Sequence, residues 1–439
     1  MLLATFLASA ASFTFGPPPA HESLAEASAT QGDSDRDAAR NEGWRSDLEV
    51  LVAKAQREHA GPTRPAFSDA FVDAARSLRA RIPESSNDEI LLAMMRLLAI
   101  LDDGHSAVYR VAPGSPLAFE RRVLPFKLYR FPEGLYVVDG DGEWADLAGS
   151  RIARIGGVDP IDALDRMAAY RGGDNPMTWT WMGPQFAFRQ LVLLEAVGVE
   201  AREGVIEMEL ETLEGERIAV AVPCGEHPLV RKLRPSPATF GEPPLYLRNV
   251  ETNYWMEVLP DERAVYVQFN QVRDRPGESL AAFSERLRAS LWETESTSLI
   301  VDVRHNNGGN NSLVRPLVRA MIEFDMRDPE HRVFVLMGRN TFSAAQNFLN
   351  RVERWTRAVF VGEPSSSSPN FVGEENEFEL PFSGVLGSIS NLYWQDSDPW
   401  DRRRWIAPDL AVELTAAEYF EGVDPVLESV LAEVRGTGD

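Results

Sequence analysis

Apolar residues recur at helical spacing near the start of the chain. Trp44, Leu48, Leu51, Val52 and Ala55 share one face, and Phe67, Phe71, Ala75, Leu78 and Ile82 repeat the arrangement, which predicts two amphipathic helices. Ser86-Asn87-Asp88-Glu89 has the form of a capping box and opens a third helix that runs to Leu101 and is apolar on more than one face, as a buried helix is. It ends in Leu101-Asp102-Asp103-Gly104-His105-Ser106, where Gly104 suits the left-handed residue that closes a helix and His105 begins an ordered loop. Between residues 111 and 235 the period falls toward two. Segments 135–138, 151–155, 206–213 and 218–222, the last two flanking Glu214-Gly215, read as strands of a mostly β module with one helix over 160–170.

A Pro-rich stretch over 234–244 reads as a linker, and after Asn249 strands and helices alternate. Strand 264–269 leads to a helix with Leu280, Phe283, Leu287 and Leu291 on one face. Strand 299–303 runs into Asn306-Asn307-Gly308-Gly309, strand 333–337 into Thr341-Phe342-Ser343 and another helix, and strand 358–361 follows. This rhythm implies an α/β fold with a largely parallel sheet covered by helices, and such sheets place ligands at the carboxyl ends of their strands.

Composition narrows the classes. The 439 residues carry 44 Lys+Arg against 67 Asp+Glu, a net charge of −23, with 44% hydrophobic residues. That is globular, of two or three domains at about 100–200 residues each, and excludes collagen, coiled coil and wholesale disorder. The acidic excess repels phosphate backbones and anionic headgroups, so neither nucleic acid nor a membrane surface is expected as a partner. Cys224 is the only cysteine, which removes intramolecular disulfides and Cys-based zinc sites and leaves a half-buried thiol. No cluster with metal-ligand spacing and no phosphate loop occurs, so neither metal nor organic cofactor is expected.

Residues 1–15 form an apolar run with Ala8-Ser9-Ala10, followed by a flexible leader to about residue 41, as at the end of an export signal. No lysine or arginine precedes Arg36. The run is short of the ~20 apolar residues of a membrane span. The expected product is exported, periplasmic or extracellular. Its divisions are 1–41 (signal-like segment and leader), 42–110 (helical region carrying His105), 111–235 (mostly β) and 236–439 (α/β core).

Two successive strand-to-helix turns carry the chemistry. Ser343 falls at a helix start, where free N–H groups stabilise a developing oxyanion, and small Ala344 and Ala345 leave room for a carbonyl. Gly308 and Gly309 let the main chain turn its amides toward a ligand. A serine needs a base in contact with it. His105, beside Asp102, Asp103 and Ser106, is the leading base, and His305, beside the double glycine, is the rival. His21, His59, His227 and His331 lie in the leader, a helix end and loops. Each feature also has a plain structural reading, as an N-cap serine, a glycine turn or a helix-terminating Asp-Gly-His.

Together these segments resemble the S41 peptidases, which include the tail-specific or carboxyl-terminal processing proteases and the tricorn core protease. Asp302-Val303-Arg304-His305-Asn306-Asn307-Gly308-Gly309 is similar to their D-x-R-x-N-x-G-G signature, and Arg339-Asn340-Thr341-Phe342-Ser343-Ala344-Ala345 to the segment bearing their nucleophile. Val361-Gly362-Glu363-Pro364, Pro369-Asn370, Gly373-Glu374, Pro408-Asp409 and Gly422-Val423-Asp424-Pro425 recur in the family's order. Leu101 to Ser106 resembles the L-x-D-G-H-T stretch of its histidine-bearing, tricorn-like branch. The tail-specific branch instead uses a lysine after G-E-P. Here that stretch is Ser365-Ser366-Ser367-Ser368, and the lysines are Lys54, Lys127 and Lys232, all far upstream.

The resemblance therefore implies Ser343 as nucleophile, His105 as base, and Gly308, Gly309 and Ala344 as oxyanion donors. It also implies an acidic residue orienting the imidazole: Asp401, or one of Asp102 and Asp103. In tricorn a serine precedes the histidine, whereas Gly104 stands here. The resemblance further implies a crotonase-like (ClpP/crotonase) catalytic core, and residues 146–157 resemble part of a PDZ-like domain that could present a protein or peptide substrate. Two other classes compete: a catalytically inactive S41-fold protein that binds a peptide or ligand, which the altered 365–368 stretch would fit, and an acyl-CoA hydratase-like enzyme. Trp179, Trp181, Phe186 and Phe188 are candidates for a substrate pocket or for plain core.

Overall fold

The computed structural model describes residues 25–61, 68–111, 122–227, 232–239 and 241–436. The apolar run proposed as an export signal lies outside them. The described residues form a mixed α/β structure with three sheets.

The central sheet has six strands, in the order Leu410–Ala411, Val359–Gly362, Arg332–Met337, Ser298–Asp302, Ala264–Phe269 and Tyr254–Leu259. All neighbours are parallel except the last pair. The apolar runs read from the sequence are long because both faces are covered: every residue of Ala264–Phe269 and Ser298–Asp302 is buried. Side chains alternate between two cores. Val265, Val267, Leu299, Val301, Val333 and Val335 meet helices Leu280–Glu293, Arg315–Arg327 and Ala344–Trp355, while Tyr266, Ile300, Phe334 and Leu336 meet Val426, Leu427 and Val430 of Pro425–Val434.

A second sheet is an antiparallel meander of Phe126–Phe131, Gly134–Gly140, Arg151–Ile155, Val205–Glu211 and Arg217–Pro223. Sequence periodicity locates four of these strands but allows only one helix in the region. The structure adds helical segments Pro176–Met182, Gly183–Ala187 and Leu191–Ala196, whose apolar residues surround rather than stripe the axis. Phe188 is fully buried in this core, with Trp179 packed against it.

The third sheet has no counterpart in the sequence reading. Hairpin Asn370–Glu379 and Val385–Gln395 leaves the α/β core and pairs antiparallel with Ala107–Val111, immediately after His105. Three helices, Ala25–Glu58, Asp69–Arg81 and Asn87–Ala99, join it in one core of Trp44, Leu48, Leu51, Phe71, Ile90, Met94, Phe378 and Ile389. The capping box at Ser86 and Glu89 is present. The first helix begins at Ala25 rather than near Trp44. Residues 36–39 are exposed, so the periodic signal starts only where packing does. The stretch read as a leader to residue 41 is thus helical from Ala25.

One buried carboxylate fastens this helix to the hairpin. Asp47 is fully buried and accepts the N–H groups of Phe382 (2.9 Å) and Ser383 (2.8 Å) at the hairpin turn. Asp47→Ala would leave both amides without a partner, a loss on the order of 2–4 kcal/mol. The expected result is a lower midpoint in urea unfolding. An unchanged midpoint would show that the hairpin turn is held by other contacts.

Candidate active site

The Ser343 turn is built from the ends of two neighbouring strands. After Arg332–Met337, Thr341 Oγ1 accepts the Gly338 N–H (3.1 Å) and donates to the Val303 carbonyl (3.1 Å), while the Phe342 N–H donates to the Asn306 carbonyl (3.1 Å). Ser343 then takes φ 56 and ψ −123, a positive φ rare for a residue with a Cβ, and caps helix Ala344–Trp355. A strand, a strained serine and a helix N-terminus together have the geometry of a nucleophile elbow, which lifts the hydroxyl off the backbone. Gly308 makes room for it: at φ 109, a Cβ there would lie 2.7 Å from Ser343 Cβ and 2.9 Å from the Ala344 nitrogen.

His105 arrives from the far side of the molecule. Its Nε2 lies 3.0 Å from Ser343 Oγ, although the two residues are 238 positions apart. Asp103 shapes the loop. Its Oδ1 accepts the N–H of His105 (2.8 Å), the N–H of Ser106 (2.6 Å) and the Ser390 hydroxyl (2.7 Å), and Oδ2 pairs with His59 Nε2 at 3.0 Å. Burial works against that charge. Hydrogen bonds from His59, Ser390 and Ser106 outweigh it and hold the Asp103 pKa below the usual carboxylate value. The left-handed residue of this loop is Asp102 (φ 54), not Gly104. Glycine is required at 104 because a Cβ would lie 2.7 Å from the Phe342 ring.

The His105 ring is stacked between Phe342 (centroids 4.5 Å apart) and Phe371 (5.8 Å) and is 5% exposed. Burial pushes its pKa down to about 4; the Asp103 charge and the Val372 carbonyl raise it, and Arg171 lowers it. The imidazole is therefore neutral at neutral pH, with Nε2 facing the serine. Among the described residues Nδ1 is buried with no hydrogen-bond partner, so no acidic side chain orients the ring through it.

Other candidates are placed differently. Asp401 gives its carboxylate to Arg403 and to the Ser397 hydroxyl (2.8 Å) rather than to His105, and these bonds hold its pKa down to about 2. The orienting role expected of it is thus corrected, because its lone pairs are taken by neighbours on its own loop. Of the two alternatives, Asp103 bonds the His105 backbone, and its charge acts on the imidazole through space. The Gly308 N–H is also committed, to Asn306 Oδ1 at 3.0 Å, so Gly308 serves by close approach and not as a donor. Among the described residues, the N–H groups of Gly309 and Ala344 make no hydrogen bond. His305 stacks on Tyr246, with its pKa lowered to about 3 by burial first and by Arg304 second, and it makes no bond to Ser343. Burial raises the Cys224 thiol to about 12, which removes it as a nucleophile.

Sequence reasoning missed Phe342 and Phe371 as the walls of the imidazole and Ser367 behind the elbow. Phe342 stood inside the quoted motif. Ser367 stood inside the quoted serine stretch without a role, and Phe371 carries no local signal, because it reaches the ring only when the hairpin folds back.

No protein-family model matches the chain. Among solved structures it is similar to mature CPAF complexed with lactacystin, with a TM-score of 0.66 at 13% identity, covering 91% of this chain and 99% of that one. Mature CPAF gives 0.64 at 12% identity over the same shares. The tricorn protease gives 0.42 at 13% identity, covering 90% of this chain and 37% of that one. At these identities the likeness is one of fold. The structural neighbours of this chain include S41-family serine peptidases, and over 91% of its length its fold is similar to that of mature CPAF.

Proposed function

We propose that the chain is a serine-type peptidase that hydrolyses peptide bonds in proteins or peptides, with Ser343 as nucleophile and His105 as general base. The observation that carries this reading is the 3.0 Å contact between His105 Nε2 and Ser343 Oγ at a strained elbow on a helix N-terminus. His105 takes the hydroxyl proton as Oγ attacks the substrate carbonyl. The amides of Ala344 and Gly309 receive the oxyanion, and the imidazolium returns its proton to the leaving amine. Water then hydrolyses the acyl-enzyme by the same route. Neither metal nor cofactor enters this scheme.

In this reading residues 42–110 deliver the base, residues 111–235 are a PDZ-like module that presents substrate, and residues 236–439 are a crotonase-like core. Export rests on the apolar run of residues 1–15; among the described residues no helix is long and apolar enough to cross a membrane.

Purified protein treated with a fluorophosphonate probe should gain one adduct by intact mass, absent from Ser343→Ala and from His105→Ala. Peptide turnover should fall by roughly a millionfold in the first variant and nearly as far in the second, since nucleophile and base act as a unit. Folded wild-type protein that takes no adduct would remove the reading.

The pH profile gives a separate check. His105 works as a base only while neutral, and its pKa lies near 4, so activity is finally lost as pH falls through about 4 and not through the 6.5 of an exposed imidazole. Labelling rates measured from pH 3.5 to 8 test this. Complete loss already at pH 6 would contradict it.

A further inference from the structure

The four serines that stand where the tail-specific branch has its lysine are not idle, and the first three are fully buried. The Ser367 hydroxyl oxygen accepts the N–H of Ser343 at 3.1 Å, and the Ser366 N–H donates to the Thr341 carbonyl at 3.0 Å. This segment therefore grips the elbow from behind. A second segment, residues 171–178, grips it in turn. Asn175 Nδ2 donates to the Ser365 carbonyl (3.1 Å), Thr178 Oγ1 to the Ser366 carbonyl (2.8 Å), and the Ser368 hydroxyl to the Asp174 carbonyl (3.5 Å). The same segment holds the base's loop. Asp174 Oδ1 accepts the Gly104 N–H at 2.9 Å, and Arg171 donates to the Gly104 carbonyl at 3.0 Å. Gly172 lies so close to the loop that a Cβ there would be 2.9 Å from the Asp103 carbonyl oxygen.

Asp174 is thus bonded to the residue before His105 and stands beside the serine that holds Ser343. We propose that Asp174 and Ser367 are positioning residues, a strut that keeps the strained nucleophile and its base in register, with the ionised Asp174 carboxylate as the working form. Asp174 Oδ1 holds the Gly104 N–H, while its buried Oδ2 has no hydrogen-bond partner among the described residues in the resting structure. When ionised, that free oxygen offers a lone pair to the Ser367 hydroxyl, which lowers the Asp174 pKa. That hydroxyl then turns its own lone pair toward the Ser343 N–H. Protonation replaces the carboxylate's lone pair with an O–H and slackens the strut. Burial raises the Asp174 pKa to about 7, the Gly104 and Ser367 hydrogen bonds lower it, and the charges of Asp103 and Asp102 raise it. Asp102 and Asp103 face it from the base's loop. On its own segment Arg171 bonds the Gly104 carbonyl, and Arg404, whose carbonyl accepts Asn175 and Ser368, acts on Asp102.

The proposal rests on the peptidase reading, and its test separates the two. Fluorophosphonate labelling of wild type, Asp174→Asn and Ser367→Ala is followed from pH 3.5 to 9, resolving the maximal labelling rate from probe affinity. In wild type the maximal rate should show a shallow step near pH 7 above the final loss near pH 4. Asp174→Asn should lose the upper step, keep the lower one, and label roughly 10- to 100-fold more slowly at pH 8 with unchanged probe affinity. Ser367→Ala should be slowed by a similar factor.

The histidine ring resonances of wild type, assigned with His105→Ala, form a readout that needs no reaction and no folded strut variant. The His105 signal should move as pH crosses 7. If it moves but no adduct forms, the peptidase reading fails and the strut stands. If it stays still between pH 6 and 8, or if Asp174→Asn labels at the wild-type rate with an unaltered profile, the strut is wrong.

Discussion

Ser343 holds a backbone conformation that costs about 1–3 kcal/mol for a residue with a side chain, and its surroundings are arranged to make any other conformation worse. Two outside segments and its own turn fix it. The Asn306 carbonyl takes the N–H of Phe342, the Ser367 hydroxyl takes the N–H of Ser343 itself, and Thr341 is tied to both Gly338 and Val303. Gly308 is then the residue on which the turn depends, since any Cβ there would meet the serine. With its own N–H occupied, Ser343 leaves the next amide, that of Ala344, as the first free donor of the helix. Strain in the backbone thus does two things at once: it presents the hydroxyl and aims the helix N-terminus past it.

The base is assembled by long-range structure. Strand Ala107–Val111 finds its partner more than 270 residues later, and the hairpin that provides that partner also supplies Phe371, Val372 and Ser390 around His105 and Asp103. Loop closure over such a separation costs entropy that only a packed core can return. The mixed core of Trp44, Phe71, Met94, Phe378 and Ile389, with Asp47 fastening the hairpin turn, meets that cost. Helical region, hairpin and site therefore stand or fall together, and a destabilised N-terminal helix would withdraw the base without touching the nucleophile.

What the sequence made legible followed from local physics. Strands over 264–269, 299–303 and 333–337 are continuous apolar runs between turn residues, and the Ser86 capping box is visible in four letters. Ser343 and His105 could both be singled out, because each sits at the end of a recognisable element. The rest depended on partners far away in sequence. The hairpin carries Glu374, Glu375, Asn376 and Glu377 in mid-strand and resembles a solvated loop until its other half is known to pack on the helices. Gly104 looked like a helix terminator, yet the left-handed turn belongs to Asp102 and the glycine answers to Phe342, a ring 238 positions away. Asp401 had a plausible place in the order of motifs, but nothing in that order reveals that Arg403, two residues on, takes its charge.

A histidine buried between two phenylalanines raises a question of strength, since a base with a pKa near 4 is poorly matched to a hydroxyl proton. That value belongs to the site without a substrate. On the proposed mechanism an oxyanion grows beside the ring as the proton arrives. Two opposite unit charges about 4 Å apart attract by roughly 4 kcal/mol at an effective dielectric constant near 20, which corresponds to about three pKa units. The same burial that suppresses the resting imidazolium keeps that attraction from being screened by water. The basicity missing in the ground state is thereby supplied as the charge develops, with Asp103 adding a fixed contribution and Arg171 opposing it. On the proposed mechanism such a site gains in the transition state what it lacks at rest, and it is in that sense that the aromatic walls around His105 would serve catalysis rather than merely fill space.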